Sequence, residues 1–216
     1  MRELPKLDNL DRRIRYVHLM FERDTRQLPH FEIPRGYEFR YFQDGDRDDW
    51  IAIEWSAGEF HSYEEGREAW TRFYEGHEEE LGSRMFFIVN QAGEKVATAT
   101  AYYDVTGVPE PGVGRLHWVA VKREYQGRGL ARPLISRALE RLKELGYERV
   151  KLSTQTTTWV ACRLYMDFGF HPEPQNVQES PEGWRILKRL TNHPVLEEFP
   201  IAEEEELWAK EGIISC

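Results

Sequence analysis

Two glycines mark the stretch of this sequence whose residue types are best suited to hold a phosphate. Val119–Val121 has the apolar composition of a strand, and Gly127 and Gly129 follow it where a helical pattern begins. The first N–H groups of a helix lack intrahelical partners and carry the positive end of the helix dipole. Glycine brings the backbone close to a ligand because no Cβ intervenes. The stretch therefore predicts an anion-binding loop.

The spacing of these glycines disfavours the two commonest nucleotide motifs. No third glycine completes a Gly-x-Gly-x-x-Gly pattern, and the chain holds no Gly-x-x-x-x-Gly-Lys-Ser/Thr. An ordinary strand-to-helix turn is the remaining alternative to an anion-binding loop. A metal site is not predicted: the 2 cysteines do not form a Cys-x-x-Cys pair, and His77 lacks the second histidine of a His-Glu-x-x-His helix.

The elements around the loop predict how it is positioned. Apolar spacing predicts a strand over residues 115–121, a helix over 127–145 and a second strand over 148–153. A strand, helix and strand in this order predict a right-handed parallel crossover. Upstream, residues 84–90 and 95–105 flank a short turn with glycine, which is typical of an antiparallel hairpin.

The remaining patterns complete an α/β (α+β) layer structure. Strands are predicted over residues 13–21, 37–42 and 184–190, and helices from Asp46, over 62–81 and over 158–168. The economical division is an N-terminal extension with one strand over 1–35, a main domain over 36–190, and a C-terminal tail with a short helix over 191–216.

Two motifs in this order resemble the GNAT-type N-acetyltransferase superfamily. The segment Gln126–Ala131 matches the family's acetyl-CoA loop, Gln/Arg-x-x-Gly-x-Gly/Ala. Farther along, Ala161–Phe170 matches the end of a helix that reads Asn-x-x-Ala-x-x-Leu-Tyr and is followed by Gly-Phe, with Thr158 at the asparagine position. The resemblance extends over about residues 36–190 and is strongest over 115–170.

The resemblance implies both a fold and a ligand. The implied GNAT fold has a mixed central sheet with an antiparallel N-terminal part, a splayed parallel strand pair and flanking helices. Acetyl-CoA is the implied acyl donor, with pantetheine along the strand and pyrophosphate on the loop. The implied cofactor-binding residues are Val119, Ala120, Val121, Gln126, Gly127, Arg128, Gly129, Leu130, Ala131 and Thr158.

Acyl transfer from a thioester to an amine needs a neutral amine, donors for the tetrahedral oxyanion and a proton for the departing thiolate. The resemblance implies Tyr165 for the thiolate, and a strand N–H near Val119 is the natural oxyanion donor. His117 shares a strand face with Val119, and its near-neutral pKa suits a proton acceptor. Glu54, acting through water, is the rival base.

Composition limits the partners. The chain of 216 residues has 38 acidic and 29 basic side chains, a formal charge of −9, which disfavours binding to nucleic acid. No apolar run is long enough for a membrane span, and the charged first residues argue against a secretory signal, so a cytoplasmic protein is predicted. A homodimer is left open.

The predicted function is transfer of an acetyl group from acetyl-CoA to a primary amine of a small molecule or peptide. Aromatic and acidic side chains alternate between Trp50 and Trp70, which favours a cationic amine, although an amphipathic helix explains the same residues. The alternative function is a catalytically silent CoA-binding sensor or interaction module of the same fold.

Overall fold

A computed structural model describes residues 10–103 and 110–201. The chain divides into two units: the larger comprises Asp24–Val150, and the smaller comprises Met1–Arg23 together with Lys151–Cys216. In chain order the strands are β1 (His18–Asp24), β2 (Tyr37–Tyr41), β3 (Met85–Asn90), β4 (Lys95–Tyr102), β5 (Val113–Val121), β6 (Arg149–Gln155) and β7 (His171–Pro172). The α-helices are α1 (Arg47–Ala57), α2 (Tyr63–Phe73), α3 (Glu78–Arg84), α4 (Ala131–Glu144), α5 (Trp159–Asp167), α6 (Pro174–Glu179) and α7 (Pro181–Thr191).

The larger unit contains the antiparallel part of the sheet. Its strands follow the order β2-β3-β4-β5, and each adjacent pair is antiparallel. The hairpin predicted from the sequence is confirmed as β3 and β4, and Gly93 has a φ of 81° in its turn. Such a φ suits glycine because it has no Cβ to clash with the backbone. The β3 side chains Met85–Val89 are all buried, as expected of a strand covered on both faces.

The predicted parallel crossover is also confirmed. The carbonyl of Gly112, just before β5, accepts the N–H groups of Glu148 (2.9 Å) and Arg149 (3.1 Å) at the start of β6. Two strands that begin side by side run in the same direction, and a helix must then bridge the end of the first and the start of the second. This helix is α4, whose apolar positions form one buried face: Leu134, Ile135, Ala138, Leu139 and Leu142.

The long helix predicted over residues 62–81 is wrong in its length. Its start is correct, because the Ser62 hydroxyl caps α2 by accepting the N–H of Glu65 at 3.2 Å. The helix then ends at Phe73, and α3 begins only at Glu78. Between them Gly76 has a φ of 82°, which no α-helix accommodates. The break leaves Tyr74 completely buried just beyond α2.

In the smaller unit a second prediction, the strand over residues 184–190, is wrong. The strands of this unit follow the order β6-β1-β7, and β1 pairs with β7 in antiparallel register. Residues 184–190 form part of helix α7 rather than a strand. Trp184, Leu187 and Thr191 are buried at intervals of three and four residues, which is helical spacing. Pro181 at the first helical position has no N–H to lose, so it starts the helix.

The mixed sheet with flanking helices confirms the predicted fold class, whereas the splaying of β5 from β6 stays a prediction. The domain boundaries at residues 36 and 190 stay predictions as well. The helix predicted in the C-terminal tail beyond Ile201 lies outside the described residues. None of the helices in residues 10–103 and 110–201 is long and apolar enough to cross a membrane.

Candidate active site

A β-bulge interrupts β5 in the middle of the predicted cofactor strand. The register between β4 and β5 shifts by one residue between Thr98 and Thr100 of β4. The extra residue lies on β5 between His117 and Ala120, where Trp118 has a φ of 45°. A bulge takes one residue out of the hydrogen-bonding ladder and re-aims its neighbours, and a tryptophan at positive φ is a rare, strained choice. The bulge therefore changes the backbone of β5 at the residues that the sequence predicts to contact the acyl donor.

The loop after β5 has the left-handed backbone that its glycines require. A short 3₁₀ turn, Arg123–Tyr125, leads to Gly127 with a φ of 73° and Gly129 with a φ of 78°. The side-chain amide of Gln126 donates to the carbonyl of Val121 at 3.0 Å. This bond ties the loop to the end of the strand, so the Gln126 side chain has a structural contact of its own.

Several hydrogen bonds join the same loop to the rest of the larger unit. The Tyr125 hydroxyl donates to Glu94 at 2.6 Å, and Lys122 Nζ lies 2.8 Å from the other oxygen of that carboxylate. The backbone N–H of Arg123 donates to Ser56 Oγ of α1 at 3.0 Å. Contacts of this kind hold a loop in one conformation before a ligand arrives, which reduces the entropy cost of binding.

Helix α4 begins without a side-chain cap. Leu130 occupies the N-cap position and makes no capping hydrogen bond, and Pro133 in the first turn has no N–H to donate. An added Cβ at Gly127 would meet no atom within 4 Å, so the backbone here is open to an approaching group. Arg128 donates to the Glu124 carbonyl at 3.0 Å and lies 4.7 Å from the centre of the Tyr125 ring. An open, uncapped helix start fits the pyrophosphate of an acyl-CoA.

His117 lies on β5 beside the bulge and is half-buried. Its Nδ1 lies 3.0 Å from the hydroxyl of Tyr74, and that hydroxyl donates to Thr100 Oγ1 at 3.0 Å. The imidazole also packs against the ring of Phe73, with centroids 5.1 Å apart, and against Trp118 at 5.9 Å. The hydrogen bond to Tyr74 and the surrounding aromatic rings thus help to hold the candidate base in place.

Glu54 lies on α1, completely buried, and neither of its carboxylate oxygens has a hydrogen-bond partner among the described residues. Burial raises the pKa of this carboxyl well above its usual range, and the charge of Glu59 raises it further. The carboxyl therefore favours its neutral form in the folded protein. The pKa of the nearby Tyr74 hydroxyl is also raised, mainly by burial.

A cluster of aromatic rings fills the space behind these groups. The ring of Trp50 lies 5.3–5.9 Å from four others, most of them edge-on. Those rings belong to Phe60, Trp70, Tyr74 and Trp118. Of the aromatic residues that the sequence placed near a cationic acceptor, Trp50, Phe60 and Trp70 are core residues, Tyr63 is partly buried and Trp55 is exposed.

Tyr165 and Thr158 belong to the smaller unit. Tyr165 lies on α5, is 9% exposed, and meets the rings of Phe21 and Phe170 at 6.5 and 6.1 Å. The Thr158 hydroxyl donates to the Gln155 carbonyl at 2.8 Å and lies 2.8 Å from the hydroxyl of Thr154. Their roles toward the acyl donor stay predictions, whereas His117, Glu54 and the loop belong to the larger unit.

Comparison with known proteins identifies the family. The sequence profile of the acetyltransferase (GNAT) family matches residues 47–170, which include α1, the bulged strand, the loop and α5. The chain belongs to the GNAT acetyltransferase family. An uncharacterized N-acetyltransferase from Methanocaldococcus jannaschii is 24% identical over 163 residues, which is 74% of this chain and 70% of that protein.

Two other relatives are longer than this chain. A mycothiol acetyltransferase from Pseudarthrobacter chlorophenolicus is 30% identical over 71% of this chain and 48% of its own length. The crystal structure of a GCN5-related N-acetyltransferase from Sphaerobacter thermophilus has a TM-score of 0.59 and 25% identity, covering 75% of this chain and 50% of that one. The chain thus spans about half the length of these two proteins.

Sequence patterns did not point to Tyr74 or Thr100. Tyr74 falls inside a predicted helix and Thr100 inside a predicted strand, and neither pattern marks a functional residue. The bulge at Trp118 was missed as well, because a single extra residue leaves the apolar alternation of a short strand almost unchanged.

Proposed function

We propose that the protein is an N-acetyltransferase that moves an acetyl group from acetyl-CoA directly to a primary amine of a small molecule or peptide. The observation that carries the proposal is the loop between β5 and α4, with its two left-handed glycines and uncapped helix start. A phosphate-binding loop in a chain of the GNAT acetyltransferase family indicates an acyl-CoA donor.

Each part of the donor has a counterpart in the chain. The backbone of Val119–Val121 pairs with pantetheine as an added strand does, and Gln126–Ala131 receives the pyrophosphate through backbone N–H groups. Arg128 adds positive charge beside the pyrophosphate, and Thr158, at the position where the family often has asparagine, forms a hydrogen bond with pantetheine. The rings of Phe73 and Trp118 lie beside His117 and are partly exposed. They form apolar walls for the acceptor.

The chemical step is a direct displacement. The neutral amine attacks the thioester carbonyl, a C–N bond forms, and the oxyanion is stabilised by a strand N–H near Val119. His117 takes the proton that the nitrogen loses, and collapse of the intermediate breaks the C–S bond. Tyr165 donates a hydrogen bond to the departing thiolate, which leaves as CoA. Glu54, through water, is the alternative proton acceptor, but only in its ionised form, which its burial disfavours.

Two measurements test this function. Loss of thioester absorbance that depends on an added amine, screened over an amine library with thiol detection, distinguishes the enzyme from a silent CoA-binding module. Titration calorimetry with acetyl-CoA tests donor binding by itself. Absence of binding at millimolar acetyl-CoA would overturn both functions. A cytoplasmic location, the lack of a nucleic-acid partner and a homodimeric state stay predictions.

A further inference from the structure

Tyr74 is a buried residue held rigidly beside the candidate base. It follows the last residue of α2, and its N–H donates to the Trp70 carbonyl at 2.8 Å. Its ring packs edge-on against Trp50 and Tyr102, with centroids 5.4 and 5.3 Å apart. With the backbone and the ring both fixed, the hydroxyl is held at one point in the larger unit.

The Tyr74 hydroxyl makes two hydrogen bonds but has only one proton to donate. It donates to Thr100 Oγ1 at 3.0 Å, and it lies 3.0 Å from His117 Nδ1. Because its proton points to Thr100, the other hydrogen bond must be donated by Nδ1–H of the imidazole. In a neutral imidazole one nitrogen carries the proton and the other the lone pair. The lone pair of His117 then lies on Nε2.

Strand register explains why one hydroxyl reaches both groups. Thr100 of β4 and His117 of β5 are directly paired across the antiparallel ladder, so their side chains stand side by side. Without the threonine hydroxyl, Tyr74 would be free to turn its proton toward Nδ1. His117 would then carry its own proton on Nε2, where it could not accept another.

We propose that Tyr74, oriented by Thr100, is a positioning residue that sets the tautomer of His117 and keeps the lone pair on Nε2. The inference rests on the proposed function, in which His117 accepts the proton of the amine. Burial raises the pKa of the Tyr74 hydroxyl well above its usual range, so the hydroxyl stays protonated and serves as a fixed dipole. Tyr74 itself passes no proton to the substrate.

The test reads the tautomer directly and needs no acyl donor. Nitrogen NMR of the full chain, labelled with ¹⁵N-histidine, distinguishes Nδ1–H from Nε2–H at His117, the signal being assigned with His117→Gln. The informative variant is Thr100→Val, which keeps the shape of the side chain but removes the acceptor. Its matched control is Thr98→Val: Thr98 is also fully buried on β4, but its hydroxyl donates to the Phe86 carbonyl at 3.3 Å.

We expect Nδ1–H in the wild type and in Thr98→Val, Nε2–H in Thr100→Val, and a mixture of both in Tyr74→Phe. Thr100→Ser restores the hydroxyl and should restore the wild-type tautomer. The proposal is overturned if the wild type carries Nε2–H, or if Thr100→Val retains Nδ1–H. Should Thr100→Val not fold, Tyr74→Phe decides: an unchanged Nδ1–H population overturns the proposal.

Kinetics separate this proposal from the proposed function. With the base in the wrong tautomer, kcat of Thr100→Val should fall about 10²-fold, the lower end of general-base contributions, while KM for acetyl-CoA is unchanged. If the tautomers respond as expected but the wild type acetylates no amine, the positioning role stands and the catalytic function fails.

Discussion

Some single residues of this protein have a proposed role in the chemistry, and others lower the stability of the fold. Glu54 lowers the stability of the fold, because a buried carboxyl with no hydrogen-bond partner among the described residues is destabilising, and more so when it is charged. Its pKa in the folded state is raised by burial above the value of the unfolded chain. The free energy of unfolding is therefore highest, as far as this carboxyl is concerned, below the pKa of the unfolded chain. It falls as the pH rises from there toward the pKa of the folded protein.

Glu54→Gln should remove this pH dependence. At pH 4 the glutamine variant and the wild type should have similar free energies of unfolding. At pH 8 the variant should be more stable by about 0.5–2 kcal/mol, the range of favourable single substitutions. Urea unfolding at the two pH values measures the difference. All other titrating groups are common to both proteins, so an equal difference at pH 4 and pH 8 would contradict the buried, neutral carboxyl.

Tyr165→Phe tests the proposed donor to the leaving thiolate. The change keeps the ring and its packing against Phe21 and Phe170. If the hydrogen bond forms mainly in the transition state, kcat should fall about 10²-fold while KM for acetyl-CoA stays the same. Steady-state kinetics with the acceptor found by screening measures both. A change confined to KM would mean that Tyr165 only binds the donor.

Among the elements, the strand-loop-helix unit β5-α4 forms the proposed donor site. Its two ends provide a matched pair of glycines: Gly129 precedes α4 with a φ of 78°, and Gly146 follows α4 with a φ of 86°. Neither would bring an added Cβ within 3.5 Å of another atom. Substitution at either end therefore costs a similar backbone strain, but only Gly129 belongs to the proposed phosphate site.

Gly129→Asp should lower acetyl-CoA affinity at least tenfold, which is about 1.4 kcal/mol, because a carboxylate is placed against the pyrophosphate. Gly146→Asp, at the other end of the same helix, should bind acetyl-CoA as the wild type does. Titration calorimetry on both folded variants measures the dissociation constants. Equal affinities in the two variants would mean that the phosphate site lies elsewhere.

The elements also indicate which features a sequence can predict. The β3-β4 hairpin and the β5-α4-β6 crossover follow from local spacing of apolar residues and glycines, and both were predicted correctly. The helix α7 was missed because Trp184, Ile186 and Leu190 fit a short alternating pattern as readily as a helical one. The Tyr74–His117 contact joins residues 43 positions apart. No local pattern encodes such a pair, since it depends on where α2 ends and on the register of β4 with β5.

For the whole molecule, a net charge of −9 opposes the approach of an anionic acyl-CoA. Binding must then depend on short-range donors, such as the N–H groups at the start of α4. Their contribution falls off within about one helical turn. If an acyl-CoA binds as proposed, removal of its pyrophosphate should weaken the binding, which can be tested on the intact chain.

Acetyl-CoA should raise the melting temperature of the full chain, because a ligand that binds only the folded state adds RT ln(1 + [L]/Kd) to its stability. At a ligand concentration of 100 Kd the gain is about 2.7 kcal/mol. For a protein of this size each kcal/mol shifts the melting temperature by about 2–4 °C, so a rise of about 5–11 °C is expected. Acetylpantetheine, which lacks the pyrophosphate, should give little or no rise at the same concentration. Gly129→Asp should lose most of the acetyl-CoA effect relative to its own ligand-free form, while Gly146→Asp keeps it. Equal shifts with the two donors would contradict a phosphate-binding loop between β5 and α4.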